Sequence, residues 1–350
     1  MRRVAVFSIL AFAASALAAA PQWTLQPAPT SERLRGVSAV DENVAWASGN
    51  KATVLRTLDG GRSWQARFGP TTEALDFRDV EAIDANIAYV LSIGPGEQSR
   101  IYKTVDGGTT WVTSFRNAEP RGFYDAIAFW NSEAGLALGD PVDGRFEILR
   151  TTDGGRHWMP APSASGGMPP ALPNEGAFAA SGTCLVVQGT RRAWFATGGA
   201  ARARVFRSAD GGLTWQASDT PLAAGSSSAG AFSLAFTDDG LRGIVVGGDY
   251  RNEGASSDNI AVTADGGVTW SPGPVRLRGF RSAVAFVPGS HGRALLTVGP
   301  AGSDWSADGG ATWAAVSDDG FHALSIARGG KAAWAVGERG RIARSATLSR

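Results

Sequence analysis

Thr57-Leu58-Asp59-Gly60-Gly61-Arg62-Ser63-Trp64 carries the decisive signal in this chain. Its pattern, hydroxyl-x-Asp-Gly-Gly-x-x-Trp, returns at residues 104–111, 151–158, 208–215, 263–270 and 306–313. Asp59, Asp106, Asp153, Asp210, Asp265 and Asp308 thus follow one another at spacings of 47, 47, 57, 55 and 43 residues. Paired glycines allow the positive φ of a tight hairpin, and a neighbouring Asp can accept hydrogen bonds from N–H groups of its own turn. Trp64, Trp111, Trp158, Trp215, Trp270 and Trp313 each bring a large apolar face to the hairpin and an N–H that needs a partner. The residue before the Trp is Ser or Thr in five copies and His157 in the third. These aspartates and tryptophans are assigned to architecture, not to metal or ligand binding.

Working outward from the turns, an apolar strand precedes each one, at residues 44–49, 87–90, 135–139, 193–196, 243–247 and 294–299, and a seventh stands at 333–337. Before each lies a further short strand, at 34–40, 77–83, 124–129, 178–181, 232–236, 282–287 and 323–327, and a third leads into the turn. Three strands plus one after the turn make a four-stranded antiparallel blade, and units of 40–50 residues fit a propeller. The fold expected is all-β, a seven-bladed β-propeller. The seventh unit ends without its turn or outer strand, and residues 22–26 supply a spare strand that would complete it and close the ring, covering an open sheet edge. The longer spacings are read as surface insertions at 160–173 and 251–257.

Arg2 and Arg3 followed by an apolar run from Val4 to Leu17 read as a secretory signal peptide, residues 1–18 with cleavage as late as 20, too short to span a bilayer. Residues 19–350 are then one propeller domain, exported to the periplasm or beyond, monomeric and without a transmembrane segment. The 33 basic and 32 acidic residues become 31 and 32 once Arg2 and Arg3 are removed, which predicts no nucleic-acid binding. The single cysteine, Cys184, cannot form an internal disulfide and is read as a small buried apolar side chain. His157, His291 and His322 lack metal-ligand spacing, and no glycine motif for a dinucleotide follows a strand into a helix, so no metal or other cofactor is expected.

The six turns, the stretch Gly139-Asp140-Pro141-Val142-Asp143-Gly144-Arg145-Phe146 and the ring-closing arrangement carry a resemblance. The chain resembles the Asp-box, or BNR-repeat, propellers, and among them the photosystem II stability and assembly factors with their bacterial relatives. That resemblance implies a non-catalytic protein that binds a protein partner during biogenesis of a membrane complex. Asp boxes also occur in sialidases, xyloglucan-cleaving glycosidases and sortilin-like receptors, so a glycoside hydrolase or a carbohydrate-binding propeller is the alternative.

Topology also selects a face. The Asp-Gly-Gly turns occupy one end of the ring, and the starts of the innermost strands gather at the other with the turns between second and third strands. Innermost starts contribute Arg35, Asp79, Tyr124, Asp125, Glu175, Arg281 and His322; the turns contribute Asn50, Asp140, Asp249, Tyr250 and Glu338. Acids, arginines and aromatics at a concave mouth suit a binding site. Asp125, Asp140, Asp249 and Arg281 form the leading group, against the plain reading that Asp in a Gly-Asp turn bonds its own backbone. A glycosidase would need two carboxyls flanking the bond, for which Asp79, Asp125, Glu175 and Asp249 are the candidates. A sialidase would use Tyr124 or Tyr250 with Glu175, and Arg35 with Arg281, but the Phe-Arg-Ile-Pro-like segment of that family is missing. Trp130 and Trp305 are the two candidate sugar platforms.

Overall fold

The computed structural model of the chain describes residues 20–67, 71–161, 167–346 and 348, so the expected signal segment lies outside the described residues. Seven four-stranded antiparallel sheets stand around a central channel. In six of them the strands run in chain order from the channel outward; the second blade, for example, comprises Asp76–Ala82, Ala88–Ile93, Arg100–Thr104 and Val112–Arg116. The seventh is composite. Ala323–Ile326, Ala333–Val336 and Ile342–Ser345 are completed by Thr24–Gln26 from the other end of the chain, with Leu25 opposite Ala343. No described helix is long and apolar enough to cross a membrane.

Burial explains the strand sequences. Second strands such as Ala45–Gly49 and Gly243–Asp249 are covered by neighbouring blades on both faces, so they read as nearly continuous small and apolar runs and not as an alternation. Outermost strands such as Val112–Arg116 are largely exposed and polar. Apolar clusters fill the junctions between blades. One joins Trp334 and Val336 of the seventh blade to Leu34, Ala47 and Leu55 of the first. Another sets Trp46 and Val54 against Phe77 and Val90. Large aromatics reach across: Trp46 Nε1 donates to Asp84 O, the Tyr89 hydroxyl to Gly154 O, and Trp194 Nε1 to Gly266 O.

All six Asp-Gly-Gly turns share one hydrogen-bond pattern. In the first, Asp59 Oδ1 accepts from Ser63 N at 2.9 Å and from Thr57 Oγ1 at 2.9 Å, while Gly61 N donates to Thr57 Oγ1. Ser63 Oγ donates to Asp59 Oδ2 at 2.6 Å, and His157 Nδ1 takes that place on Asp153 at 2.7 Å in the third turn. Gly60 and Gly61 sit at φ of 72° and 81°, which an L side chain rarely adopts. Trp64, Trp158, Trp215 and Trp313 find partners for their N–H groups; those of Trp111 and Trp270 have none.

The fourth blade departs from expectation. Its innermost strand is Leu185–Gln188, not residues 178–181. Cys184, just before it, is fully buried in the cluster between the third and fourth blades. Residues 177–183 instead lie across the channel, bonded to four other blades, the fifth through Thr183 and Ser233. Arg78 Nη1 donates to Ala179 O, Ala177 N to Asp140 Oδ1, and Ser181 Oγ to Ser282 O. Gly182 has φ of 77°, and a Cβ there would fall 2.1 Å from Asp79 Oδ1. This small-residue segment therefore plugs the channel, with a mouth on one side and a smaller cavity of about 230 Å³ lined by Asp79, Glu81 and Ser325 on the other.

Candidate functional site at the channel mouth

A β-bulge sets the lining of the mouth. The innermost strands of blades one, two, three and five shift register between Leu34 and Gly36, Phe77 and Asp79, Tyr124 and Ala126, and Ala231 and Ser233. An extra residue in a bulge re-aims its side chain. Here the skipped residues are Arg35, Arg78, Asp125 and Phe232, and all four line one cavity of about 510 Å³. Ser282 and His322, directly before the innermost strands of the sixth and seventh blades, line it as well. Neighbouring turns and the plug add Arg33, Asp140, Phe178, Tyr250, Glu253, Phe280 and Glu338.

The mouth has a basic side and an aromatic side. Arg33 pairs with Glu338 at 2.7 Å and Arg78 with Asp76 at 2.7 Å. Arg35, between them, enters no ion pair among the described residues, and its buried Nε has no hydrogen-bond partner. Burial, followed by repulsion from Arg78, lowers the Arg35 guanidinium to about 9. Burial, and then the charge of Arg35, holds the His322 imidazole down at about 4, although Nε2 lies 2.8 Å from Glu338 Oε1. Opposite, Phe178 stacks on Phe232 with ring centres 3.8 Å apart, and Tyr250 and Phe280 stand edge-on to Phe232.

Asp125 and Asp140 adjoin the aromatic side. Burial and the Asp140 charge push the Asp125 carboxyl well above the ordinary range, and burial raises Asp140 to about 6. Asp125 accepts from Ala179 N, yet its Oδ2 has no partner. Of the other expected mouth residues, Arg281 is fully buried on Asp304, with Nη2 to Oδ2 at 2.6 Å. Glu175 is buried on Arg204 and Thr197. Tyr124 packs into the junction with the second blade, edge-on to Phe115. These three do not line the mouth. Asp79 lies beneath the plug, its Oδ2 accepting from Ile127 N at 2.8 Å. Asp249 Oδ1 accepts from Arg251 N, as a turn residue does. Asn50 serves its own turn through its carbonyl, which accepts from Thr53. Arg33, Arg78, Phe178, Phe232 and Phe280 were not anticipated. For Arg78, next to the expected Asp79, and for Phe232, in a blade where the sequence offered no innermost-start residue, the signal was alignment with Arg35.

Comparison with known proteins places the fold. A structure described as YCF48 bound to D1 peptide superposes with a TM-score of 0.65 at 19% identity, over 95% of this chain and 99% of that one. YCF48 from Cyanidioschyzon merolae gives 0.61 at 16% identity, over 93% and 98%. The GH74 xyloglucanase from Xanthomonas campestris gives 0.61 at 16%, over 93% of this chain and 53% of that one. At such identities the likeness is one of fold. No family model matches the sequence, and no curated protein does.

Proposed function

We propose that this chain is an exported, non-catalytic propeller whose mouth holds a polypeptide segment of a partner protein, in the manner of the assembly factors it resembles. The observation that carries this reading is Arg35. A guanidinium on the wall of a cavity, beside Arg33 and Arg78, whose nearby acids Glu338 and Asp76 are paired directly to those two arginines, calls for an anionic group from outside. Phe178, Tyr250 and Phe280 supply apolar surface on the other side of the same cavity. The similar YCF48 structure with a D1 peptide lends the reading support from a protein of the same fold.

The xyloglucanase likeness favours a second reading, glycan hydrolysis, but the side chains give it less. Trp305 is buried, Trp130 packs against the core between the third and fourth blades, and neither lines the mouth. Glu175 is occupied by Arg204, and Asp125 and Asp140 stand on the same blade.

A photo-crosslinking residue placed at Tyr250 tests the choice in the native envelope. A covalent adduct with a polypeptide supports the proposal. Cleavage of xyloglucan by the purified protein, with no adduct, replaces it with the glycosidase.

A further inference from the structure

We propose that the Asp125–Asp140 side of the mouth is a subsite for a cationic side chain, lysine or arginine, carried by the segment that the mouth binds. The inference rests on the partner-binding reading above and adds the ligand's second charge. Four observations carry it. Asp125 is 1% exposed, lines the cavity and has an Oδ2 without any partner, and buried carboxylate oxygens are nearly always paired. Asp140 is its neighbour, and neither carboxylate forms an ion pair among the described residues. Arg78, which lines the same cavity, is committed to Asp76 and Ala179 O.

The third observation is that the acids and the aromatic wall are built together. Ala177 N donates to Asp140 Oδ1 at 2.8 Å and Ala179 N donates to Asp125, so the two carboxylates clamp the backbone on either side of Phe178. Phe178 is thereby fixed beside them, stacked on Phe232 with Tyr250 edge-on. Aromatic faces attract cations and repel anions. The fourth is local: Tyr250 already holds the Arg251 guanidinium 6.0 Å from its ring centre at the rim. A flexible cationic side chain entering over Phe178 would set its charge against Asp125 Oδ2 and favour the ionised carboxylate, which burial and Asp140 otherwise oppose. A bound segment would then place an acidic group on Arg35 and a basic group on blade three, which fixes its direction across the mouth.

Saturation-transfer NMR with side-chain analogues tests this on the intact protein: n-butylammonium for lysine, n-propylguanidinium for arginine, and butyrate for the anionic group. At least one of the two cations is expected to bind, with the stronger signal naming the side chain. That signal should fall at least fivefold in Asp125→Asn/Asp140→Asn and weaken in Phe178→Leu, while butyrate is unaffected by either and is lost in Arg35→Met. Asparagine keeps an oxygen for Ala177 and Ala179 N–H, and Phe178→Leu gives an independent reading should the double variant fold poorly. No cation signal in the parent, or one that survives both variants, overturns the subsite. Cation binding without butyrate binding would leave the subsite standing and remove the basis of the partner reading at Arg35.

Discussion

Trp23 and Ser303, 280 residues apart in the chain, are joined by a 2.9 Å hydrogen bond from the indole Nε1 to the hydroxyl. The same indole lies 5.5 Å from the Phe321 ring. The N-terminal segment therefore does more than supply an outer strand to the seventh blade, since it also ties that strand to the sixth. Trp23→Ala should lower stability by about 2 kcal/mol, less than the roughly 3–5 of a fully buried Trp. Thermal unfolding measures it, and an unchanged midpoint would mean that backbone pairing alone closes the ring.

Asp210 holds its turn through Thr214 N at 2.9 Å, Thr214 Oγ1 at 2.6 Å and Ser208 Oγ at 2.8 Å. Asp210→Ala should cost on the order of 1–3 kcal/mol, as expected for hydrogen bonds to a charged group. The turn lies on the face opposite the mouth, so ligand binding by the folded variant should equal that of the parent. Loss of binding without loss of stability would overturn the structural assignment of these turns.

The channel acids and the turn acids predict opposite pH effects. Burial raises Asp79 to about 7 and, with the Asp79 charge, Glu81 to about 8. Raised carboxyls make the folded chain the stronger proton binder above about pH 4, so stability falls from there to about pH 7–8 and is level beyond. Hydrogen bonds hold Asp59, Asp106 and Asp265 down at about 2, so their contribution is complete above about pH 4 and is lost as pH falls toward 2. Asp79→Asn keeps an oxygen for Ile127 N–H and should flatten the decline between pH 4 and 7. Urea unfolding across that range checks this; an identical slope in the variant would contradict it.

Arg35→Met removes a partly buried guanidinium that has no direct ion-pair partner, and keeps its apolar stem volume. The variant should melt above the parent while losing affinity for an anionic ligand, a trade that marks a site kept for binding. Calorimetry with and without butyrate reads both effects, and a lower melting temperature would show that Arg35 has a structural role.

The blade pattern was legible because its signals are local. Six Asp-Gly-Gly turns and seven apolar second strands need no knowledge of what packs where. Residues 22–26 could be placed by counting strands. The site was harder, for two physical reasons. A bulge adds one residue without changing composition, so the sequence points to Asp79 where its neighbour Arg78 faces the mouth; in the sixth blade, which has no bulge, Ser282 lines the mouth and Arg281 does not. The plug misled for a related reason: Ala177-Phe178-Ala179-Ala180-Ser181 has the apolar content of an inner strand, and only contacts with Arg78, Asp140 and Ser282 show it crossing the channel. Glu175 and Arg281 read as mouth charges because their buried partners, Arg204 and Asp304, lie 29 and 23 residues away.

The most direct test of the account is affinity capture from the native envelope, with the tagged parent, an Arg35→Met/Asp125→Asn variant and Asp210→Ala run side by side. The account predicts one polypeptide held by the parent and by Asp210→Ala and absent from the mouth variant. A polypeptide retained equally by all three, or lost with Asp210→Ala alone, would contradict the assignment of the mouth as the binding site.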